Sequence, residues 1–430
     1  MSIAFGGIVA FLFRGLNLVI ALTTVVLTSH QLSPDEYGTF VLGLTVVGIV
    51  TAMTGGITAA TAYQISNQRR APGDALGSSG AFGGVIGVLA VVAGVAGTAL
   101  LSGEASSVSL AVGASAAAVI INSVLAGVFL GRDSMLKYNL ALVLPPLFAL
   151  VVIALSFVAM DHRSPEAAMG AYAAGQWGAF IILAVLVRSE TAGALAVNAS
   201  LVRTAIRFAV LAGISSGISY LNYRADLFVV RHFEGTDGVA TYSLAVYLAE
   251  SVWQVSGSLA LATYPRVGAL PRHEAAELTT RVMRHTVVLL SFICLALFAV
   301  SGIVASVLFD KYDGMAGALR FLLPGVLLYG LAQSYSGFYT YQRGQPWVAA
   351  IVAGTGLAID IGLAFVLVPR MGVNGAALAS SIAYGTAILA ALAVFLKIEG
   401  IGPGRILRFG RADIDDYRVL IGRLRAAAGR

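Results

Sequence analysis

The sequence predicts an all-α polytopic membrane protein with about twelve transmembrane helices in two six-helix lobes, related by a pseudo-two-fold axis along the membrane normal. Three observations lead to this prediction. The 430 residues are 58% hydrophobic and only 11% charged, whereas about 25% of residues are charged in a soluble domain. Apolar runs recur along the whole chain, and two pairs of segments repeat about 200 residues apart.

A helix needs about 20 mostly apolar residues to cross the hydrocarbon core of a bilayer. The runs that meet this length are 3–28, 36–64, 76–101, 107–130, 138–160, 167–187, 207–230, 238–264, 286–309, 316–340, 347–368 and 373–396. The first run lacks the charged n-region of a signal peptide, so we expect it to be retained as a span. The 49 glycines suit helices that approach one another closely in lipid.

The second span begins with a clear start signal. The segment Ser33-Pro34-Asp35-Glu36 supplies an N-cap hydroxyl, a proline in the first turn and an acid three residues after the cap. This is the pattern of a capping box at a helix N-terminus, where negative charge is also stabilised by the helix dipole.

Lys and Arg in the loops predict the orientation. Eleven of them lie in the even-numbered loops, against four in the odd-numbered loops: Arg163, Arg231, Lys311 and Arg370. By the positive-inside rule both termini and the even loops are cytoplasmic, and the protein belongs in the inner or plasma membrane. The net charge of +6 fits contact with anionic lipids, so we expect no nucleic-acid partner.

The repeats predict the domain organisation. Residues 37–64 resemble residues 239–266, with Phe40 opposite Tyr242, and residues 169–187 resemble residues 374–396. Such an internal repeat in a transporter places the binding site between the halves near the bilayer midplane. We expect an N-terminal lobe at 1–196, a linker at 197–206, a C-terminal lobe at 207–396 and a basic cytoplasmic tail at 397–430.

Two polar segments are predicted to be helical. The loop 265–285 reads as a cytoplasmic helix bounded by Pro271. Within the tail, residues 413–425 space Ile414, Tyr417, Ile421 and Leu424 at helical intervals beside arginines. This pattern suits a helix that lies on the membrane surface, although a disordered tail fits it almost as well.

Several segments resemble the polysaccharide-flippase branch of the multidrug/oligosaccharidyl-lipid/polysaccharide exporter superfamily. They are LSPDEYGTFVL, YRADLFVVRHF, VATYSLAVYLAESVW, YPRVGAL and VLVPRMGVNGAALASSIAY. The resemblance covers residues 1–396. It implies alternating-access transport of a polyprenyl-diphosphate-linked oligosaccharide from the inner to the outer leaflet, for cell-surface polysaccharide synthesis. It also implies glycosyltransferases and a polysaccharide polymerase as partners, and we expect a monomer without cofactors.

Ionisable residues inside spans are costly and commonly mark a transport pathway. Arg14, with Asn17 one turn later, could bind the phosphates of the carrier lipid, because a guanidinium matches phosphate bidentately. Arg224 could do the same or form a salt bridge. With only these two arginines recognised inside spans, a lipid-II-type substrate is less favoured, because flippases of that type have several arginines in the cavity.

The acidic residues complete the candidate set. Asp226 is about 200° around the helix from Arg224, so we expect it to pair with another arginine, for which Arg14 is the candidate. Glu250, with Gln254 on its face, could couple transport to a proton or cation, accept hydrogen bonds from sugar hydroxyls, or pair with Arg224. Asp360 could bind a cation or the lipid tail, although a helix-packing role fits it better.

One alternative function remains open, and another is disfavoured. A cation-coupled drug antiporter of the same fold would use the acids and aromatics of this set instead of its arginines. A membrane-embedded polymerase or ligase is disfavoured, because the external loops are short. The chain has no phosphate-binding Gly-Lys-Ser/Thr motif, and its single Cys294 can form neither an internal disulfide nor a thiolate metal site.

Overall fold

The computed structural model describes residues 3–102, 107–191, 195–345, 347–406, 408 and 413. No strand occurs within these ranges. The helices are α1 (Ile3–Gln31), α2 (Pro34–Thr54), α3 (Gly56–Ser66), α4 (Pro72–Ser102), α5 (Ser107–Gly131), α6 (Met135–Ala154), α7 (Pro165–Arg188), α8 (Ala199–Arg224), α9 (Asp226–Ser251), α10 (Trp253–Ala269), α11 (Arg272–Leu308), α12 (Met315–Tyr329), α13 (Ala332–Gly337), α14 (Trp347–Met371) and α15 (Val373–Glu399). Short π-helical segments follow α6 and α13.

Eleven stretches among the described residues are long and apolar enough to cross a membrane, which confirms the predicted multi-pass membrane fold. One of them, Ala199–Ala269, has 71 residues and would be roughly 105 Å long as a straight helix. That exceeds three hydrocarbon cores of ~30 Å. Its backbone leaves the helical conformation at Gly235, where φ is 74°, so the stretch accommodates the two predicted spans 207–230 and 238–264.

The predicted start of the second span is confirmed in detail. The Ser33 hydroxyl accepts a hydrogen bond from the Glu36 backbone N–H, and the Ser33 N–H donates to the Glu36 carboxylate at 2.8 Å. Asp35 accepts a hydrogen bond from the Thr236 hydroxyl. The start of α2 is therefore tied both to its own cap and to the segment after Gly235.

The predicted helix in the loop 265–285 exists, but it is not separate from the ninth span. α11 begins directly after Pro271 and runs unbroken for 37 residues, or roughly 55 Å. Because this length exceeds the hydrocarbon core by about 25 Å, the N-terminal end of α11, which carries its charged residues, projects beyond the core. Asp413 contacts that projecting end through Arg284 at 3.1 Å; the rest of the predicted tail helix at 413–425 lies outside the described residues.

The chain divides into two compact units. The first comprises Met1–Arg224 and Gly235–Ala240, and the second comprises Ala225–Glu234 and Thr241–Arg430. This division falls after α8, later than the predicted linker at 197–206, so residues 207–224 group with the first unit. The reason is close packing: a Cβ on Gly213 of α8 would lie 2.0 Å from the Met53 carbonyl oxygen. Small residues in lipid permit this kind of backbone approach.

Candidate functional site

A pair of buried carboxyl groups in the second unit forms the candidate site. Asp226, the first residue of α9, is 2% exposed, and Asp360 of α14 is 1% exposed. The hydroxyl of Ser380, on α15, lies 3.1 Å from the nearer oxygen of each carboxyl group. One serine hydroxyl is therefore within hydrogen-bond distance of two acids whose parent residues are 154 and 20 positions away in the sequence.

Asp226 has the richer set of hydrogen-bond donors. Its Oδ1 accepts a hydrogen bond from the Leu227 N–H at 2.9 Å, and its Oδ2 accepts one from the phenol of Tyr242. Because hydrogen bonds to the charged form stabilise that form, the site stabilises a negative charge at this position.

The bond between Tyr242 and Asp226 depends on the break at Gly235. The two residues are 16 positions apart, which is about 24 Å along a continuous helix. The left-handed φ of 74° at Gly235 is a conformation that glycine adopts at no steric cost. The break allows Tyr242 to reach Asp226, and its phenol oxygen also lies 3.0 Å from the Ser380 hydroxyl.

Asp360 has fewer hydrogen-bond partners than Asp226. Within the described part of the chain its carboxyl hydrogen-bonds to Ser380 and forms no ion pair. Two buried carboxylates repel each other and are expensive to desolvate. The arrangement can be neutralised by a proton on one acid or by a hard cation, since carboxylate and hydroxyl oxygens are ligands such cations prefer. No group of three or more His, Cys, Asp or Glu side chains suited to a metal ion occurs among the described residues.

Glu250 lies at a second break in the same unit, next to an aromatic cluster. α9 ends at Ser251 and α10 starts at Trp253, and Glu250 is half-buried one residue before this break. The aromatic cluster comprises Trp253, Tyr329 and Tyr384, with ring centroids 4.8–5.9 Å apart. The Trp253 indole N–H donates to the Val326 carbonyl at 2.9 Å, which fixes the ring at the break.

The structure groups only part of the predicted site within one unit. Asp226, Glu250, Gln254 and Asp360 belong to the second unit, and Gln254 is exposed. The other three, Arg14, Asn17 and Arg224, belong to the first unit. Arg14 is exposed and Asn17 is half-buried on α1, while Arg224 ends α8 and donates to the Tyr223 carbonyl at 2.8 Å.

Sequence reasoning missed two residues of the candidate site and one arginine elsewhere in the second unit. Ser380 and Tyr242 both stand inside the quoted motifs, but nothing in their spacing indicates that they meet an acid. The third, Arg320, was passed over when only Arg14 and Arg224 were counted as arginines within spans. It lies in the second turn of α12, and inspection of the predicted span 316–340 could have found it.

Comparison with known proteins supports the fold. No protein-family model matches the sequence, and no curated protein matches it significantly. Among solved structures, the lipid II flippase MurJ in an inward closed conformation gives a TM-score of 0.75 at 12% identity, covering 94% of this chain and 89% of that one. An inward-facing multidrug resistance MATE family transporter of the MOP superfamily gives 0.70 at 14% identity, covering 92% and 98%.

A third similar structure is a MOP superfamily transporter from Pyrococcus furiosus, with a TM-score of 0.61 at 16% identity, covering 92% of this chain and 94% of that one. All three likenesses extend over nearly the whole chain. At these identities they establish the architecture and not the substrate. The protein is thus a multi-pass membrane protein with the fold of the MOP-superfamily transporters.

Proposed function

We propose that this protein is an ion-coupled flippase, which moves a polyprenyl-diphosphate-linked oligosaccharide from the cytoplasmic to the outer leaflet for cell-surface polysaccharide synthesis. The observation that carries the proposal is the buried pair of acids, Asp226 and Asp360, on either side of Ser380. A buried acid pair in a membrane protein is a natural ion or proton relay. The sequence resemblance to polysaccharide flippases and the fold likeness to a lipid II flippase support the choice of cargo.

The acid pair couples an ion to transport through the difference between its two environments. The ionised form is better stabilised at Asp226, which accepts hydrogen bonds from the Leu227 N–H and the Tyr242 phenol in addition to lying next to the shared Ser380 hydroxyl. Asp360 has one donor and takes the coupling proton or completes the cation site. Binding or release of that ion changes the charge of the pair. Alternating access then requires only that the two conformations bind the ion and the cargo with different affinities.

The remaining candidate residues are assigned to the cargo. Arg14 and Arg224 offset the diphosphate charge, as arginine forks do with phosphate. Asn17, Glu250 and Gln254 hydrogen-bond the sugar hydroxyls. We place both termini and the tail in the cytoplasm on the strength of the loop arginines, so the headgroup enters from that side while its lipid tail stays in the membrane.

A cation-coupled drug antiporter is the second candidate. The half-buried Glu250 and the neighbouring Trp253, Tyr329 and Tyr384 form the acidic and aromatic surroundings that suit an organic cation. The fold likeness to multidrug resistance transporters supports this candidate as well. The two candidates differ in which charged residues touch the cargo: arginines in the flippase, and an acid in the antiporter.

The test is transbilayer movement of a short-chain polyprenyl-diphosphate oligosaccharide in vesicles that contain the purified protein. We expect movement with the wild type, a collapse with Arg224→Ala and loss of the ion dependence with Asp360→Asn. Arg163→Ala is the matched control, because Arg163 is an arginine paired with Asp161 in a loop. Absence of lipid movement in the wild type, together with uptake of an organic cation driven by a pH gradient, would replace the flippase with the antiporter.

A further inference from the structure

Arg320 is an arginine on an apolar surface, outside the candidate site. It lies five residues after the start of α12, or about 8 Å along the helix axis. α11 ends at Leu308, one short loop earlier in the chain, so Arg320 lies near the end of the span. Its side chain is exposed, and within the described part of the chain it forms no ion pair.

Two neighbours on α11 hold the guanidinium in place. The Arg320 Nε donates a hydrogen bond to the buried Ser301 hydroxyl at 2.7 Å. Its guanidinium carbon lies 5.4 Å from the ring centroid of Phe298, a cation–π distance. Ser301 and Phe298 are seven and ten residues from the end of α11, or about 10 and 15 Å. The charge therefore lies at or below the depth of its own Cα, whereas a snorkelling arginine would extend toward the water.

The surrounding surface faces lipid. From residue 290 to the end of α11, the buried side chains are Leu290, Cys294 and Ser301. Large apolar side chains cover the remainder, including Leu295 at 69% and Phe298 at 50% exposure. Among the spans in the described part of the chain, α11 is the most apolar. An apolar surface of this kind is the contact that acyl chains require.

We propose that Arg320, held by Ser301 and Phe298, binds the phosphate of an anionic phospholipid on the bilayer-facing surface of α11 and α12. A charge at this depth is costly without a counter-charge. One hydrogen bond to Ser301 uses one of the five guanidinium N–H donors, and the free fork matches two phosphate oxygens. The exposed apolar side chains beside it accommodate the acyl chains. The proposal requires only that the protein spans a membrane, so it is independent of the cargo.

The test is native mass spectrometry of the purified protein with equal amounts of phosphatidylglycerol and phosphatidylcholine. We expect the wild type to retain phosphatidylglycerol in preference to phosphatidylcholine. In Arg320→Gln the ratio of bound phosphatidylglycerol to bound phosphatidylcholine should fall about tenfold, which is the scale of one charge-assisted hydrogen bond. Arg320→Lys keeps the charge without the fork and should fall between them. Arg370→Gln is the matched control, because Arg370 is also exposed and donates to a carbonyl of its own helix at 2.8 Å.

A second measurement covers the case in which Arg320→Gln does not fold. Ser301→Ala and Phe298→Leu keep Arg320 but release its guanidinium, and each should lower the phosphatidylglycerol-dependent rise in thermal stability. An unchanged lipid preference in Arg320→Gln overturns the proposal, as does an equal loss in Arg370→Gln. Inorganic phosphate that stabilises the protein as well as phosphatidylglycerol does would reveal a free-anion site and overturn the lipid assignment.

Discussion

The two halves of the chain carry the same sequence pattern but use it differently. Aligned on Gly170 and Gly375, the segments MGAYAAG (169–175) and NGAALAS (374–380) place Gly175 opposite Ser380. In the first unit, a Cβ on Gly175 would lie 2.3 Å from the Ala149 Cα, so this position is a close contact between α7 and α6. In the second unit, the equivalent Ser380 bridges two carboxyl groups.

The other repeated pair shows the same difference. Phe40 and Tyr242 are both fully buried, but only Tyr242 has a hydroxyl, which bonds to Asp226. The repeat therefore conserves the packing role of these positions in the scaffold. At these two positions the second half has side-chain oxygens that meet an acid, where the first half has a glycine and a phenyl ring.

The largest effect should come from removing the acids that distinguish the second half. Asp360→Asn keeps the shape and an acceptor for Ser380 but cannot change its charge, so ion-driven transport should fall about tenfold or more, equivalent to ~1.4 kcal/mol in the rate-limiting barrier. The measurement is the transbilayer movement of the short-chain polyprenyl-diphosphate oligosaccharide in vesicles at varied pH and sodium concentration. Glu166→Gln, at the first turn of α7, is the control. Wild-type ion dependence in Asp360→Asn would remove the acid pair from the mechanism.

The next largest effect should come from giving the first half the serine of the second. Gly175→Ser places a Cβ against the backbone of α6. Because this backbone cannot move aside without disturbing the helix, the substitution should destabilise the protein by about 1–3 kcal/mol. Gly170→Ser is the matched control, since nothing lies within 4 Å of a Cβ there. Thermal denaturation in detergent measures the difference. Equal midpoints for the two variants would show that the two helices are not in close contact at this position.

Exchanging the aromatic pair should have an effect of about the same size as Gly175→Ser. Tyr242→Phe removes one hydrogen bond to a carboxylate and should cost about 1.5–3 kcal/mol of stability. The reciprocal Phe40→Tyr places a hydroxyl in a fully buried apolar position, at a cost of about 1–3 kcal/mol. Comparing both variants with the wild type by thermal denaturation separates packing from hydrogen bonding. A neutral Tyr242→Phe would show that the phenol does not support the acid.

The smallest effect concerns an ion cluster in the first unit. Glu190, just after α7, accepts hydrogen bonds from Lys137 and, at 3.0 Å, from Ser134. The bond from Lys137 lowers the Glu190 pKa, and burial opposes this shift. A lowered folded-state pKa gives stability that is present above the unfolded value of about 4.3 and is lost as the pH falls through the folded value.

Glu190→Gln should therefore lower the free energy of unfolding by up to about 1 kcal/mol at pH 7. The wild type and the variant should converge as the pH is lowered below about 4. The corresponding test in the second unit is Glu399→Gln, which removes the negative charge that accepts three hydrogen bonds from Arg272 at 2.9, 3.1 and 3.3 Å. A constant gap between wild type and Glu190→Gln at all pH values would contradict the assigned charge of Glu190.

Much of the architecture could be predicted from the sequence, because few backbone structures satisfy their hydrogen bonds inside a bilayer. Apolar runs of about 20 residues must become helices, and the local signal at Ser33 and Glu36 was enough to locate a helix start. The predicted separation of the loop 265–285 from the ninth span was wrong, since no residue between Pro271 and Leu308 interrupts the helix. Composition alone cannot place the point where a helix leaves the membrane.

The sequence by itself determined the class of the protein, its spans and the presence of Asp226 and Asp360 within them. Only the tertiary structure decided that these two acids share one serine, since their partners lie up to 154 residues apart. It also decided that α8 packs in the first unit, through contacts such as Gly213 against Met53. Spans follow from local hydrophobicity, whereas a polar site depends on which helix faces meet, and that is settled by packing between distant segments.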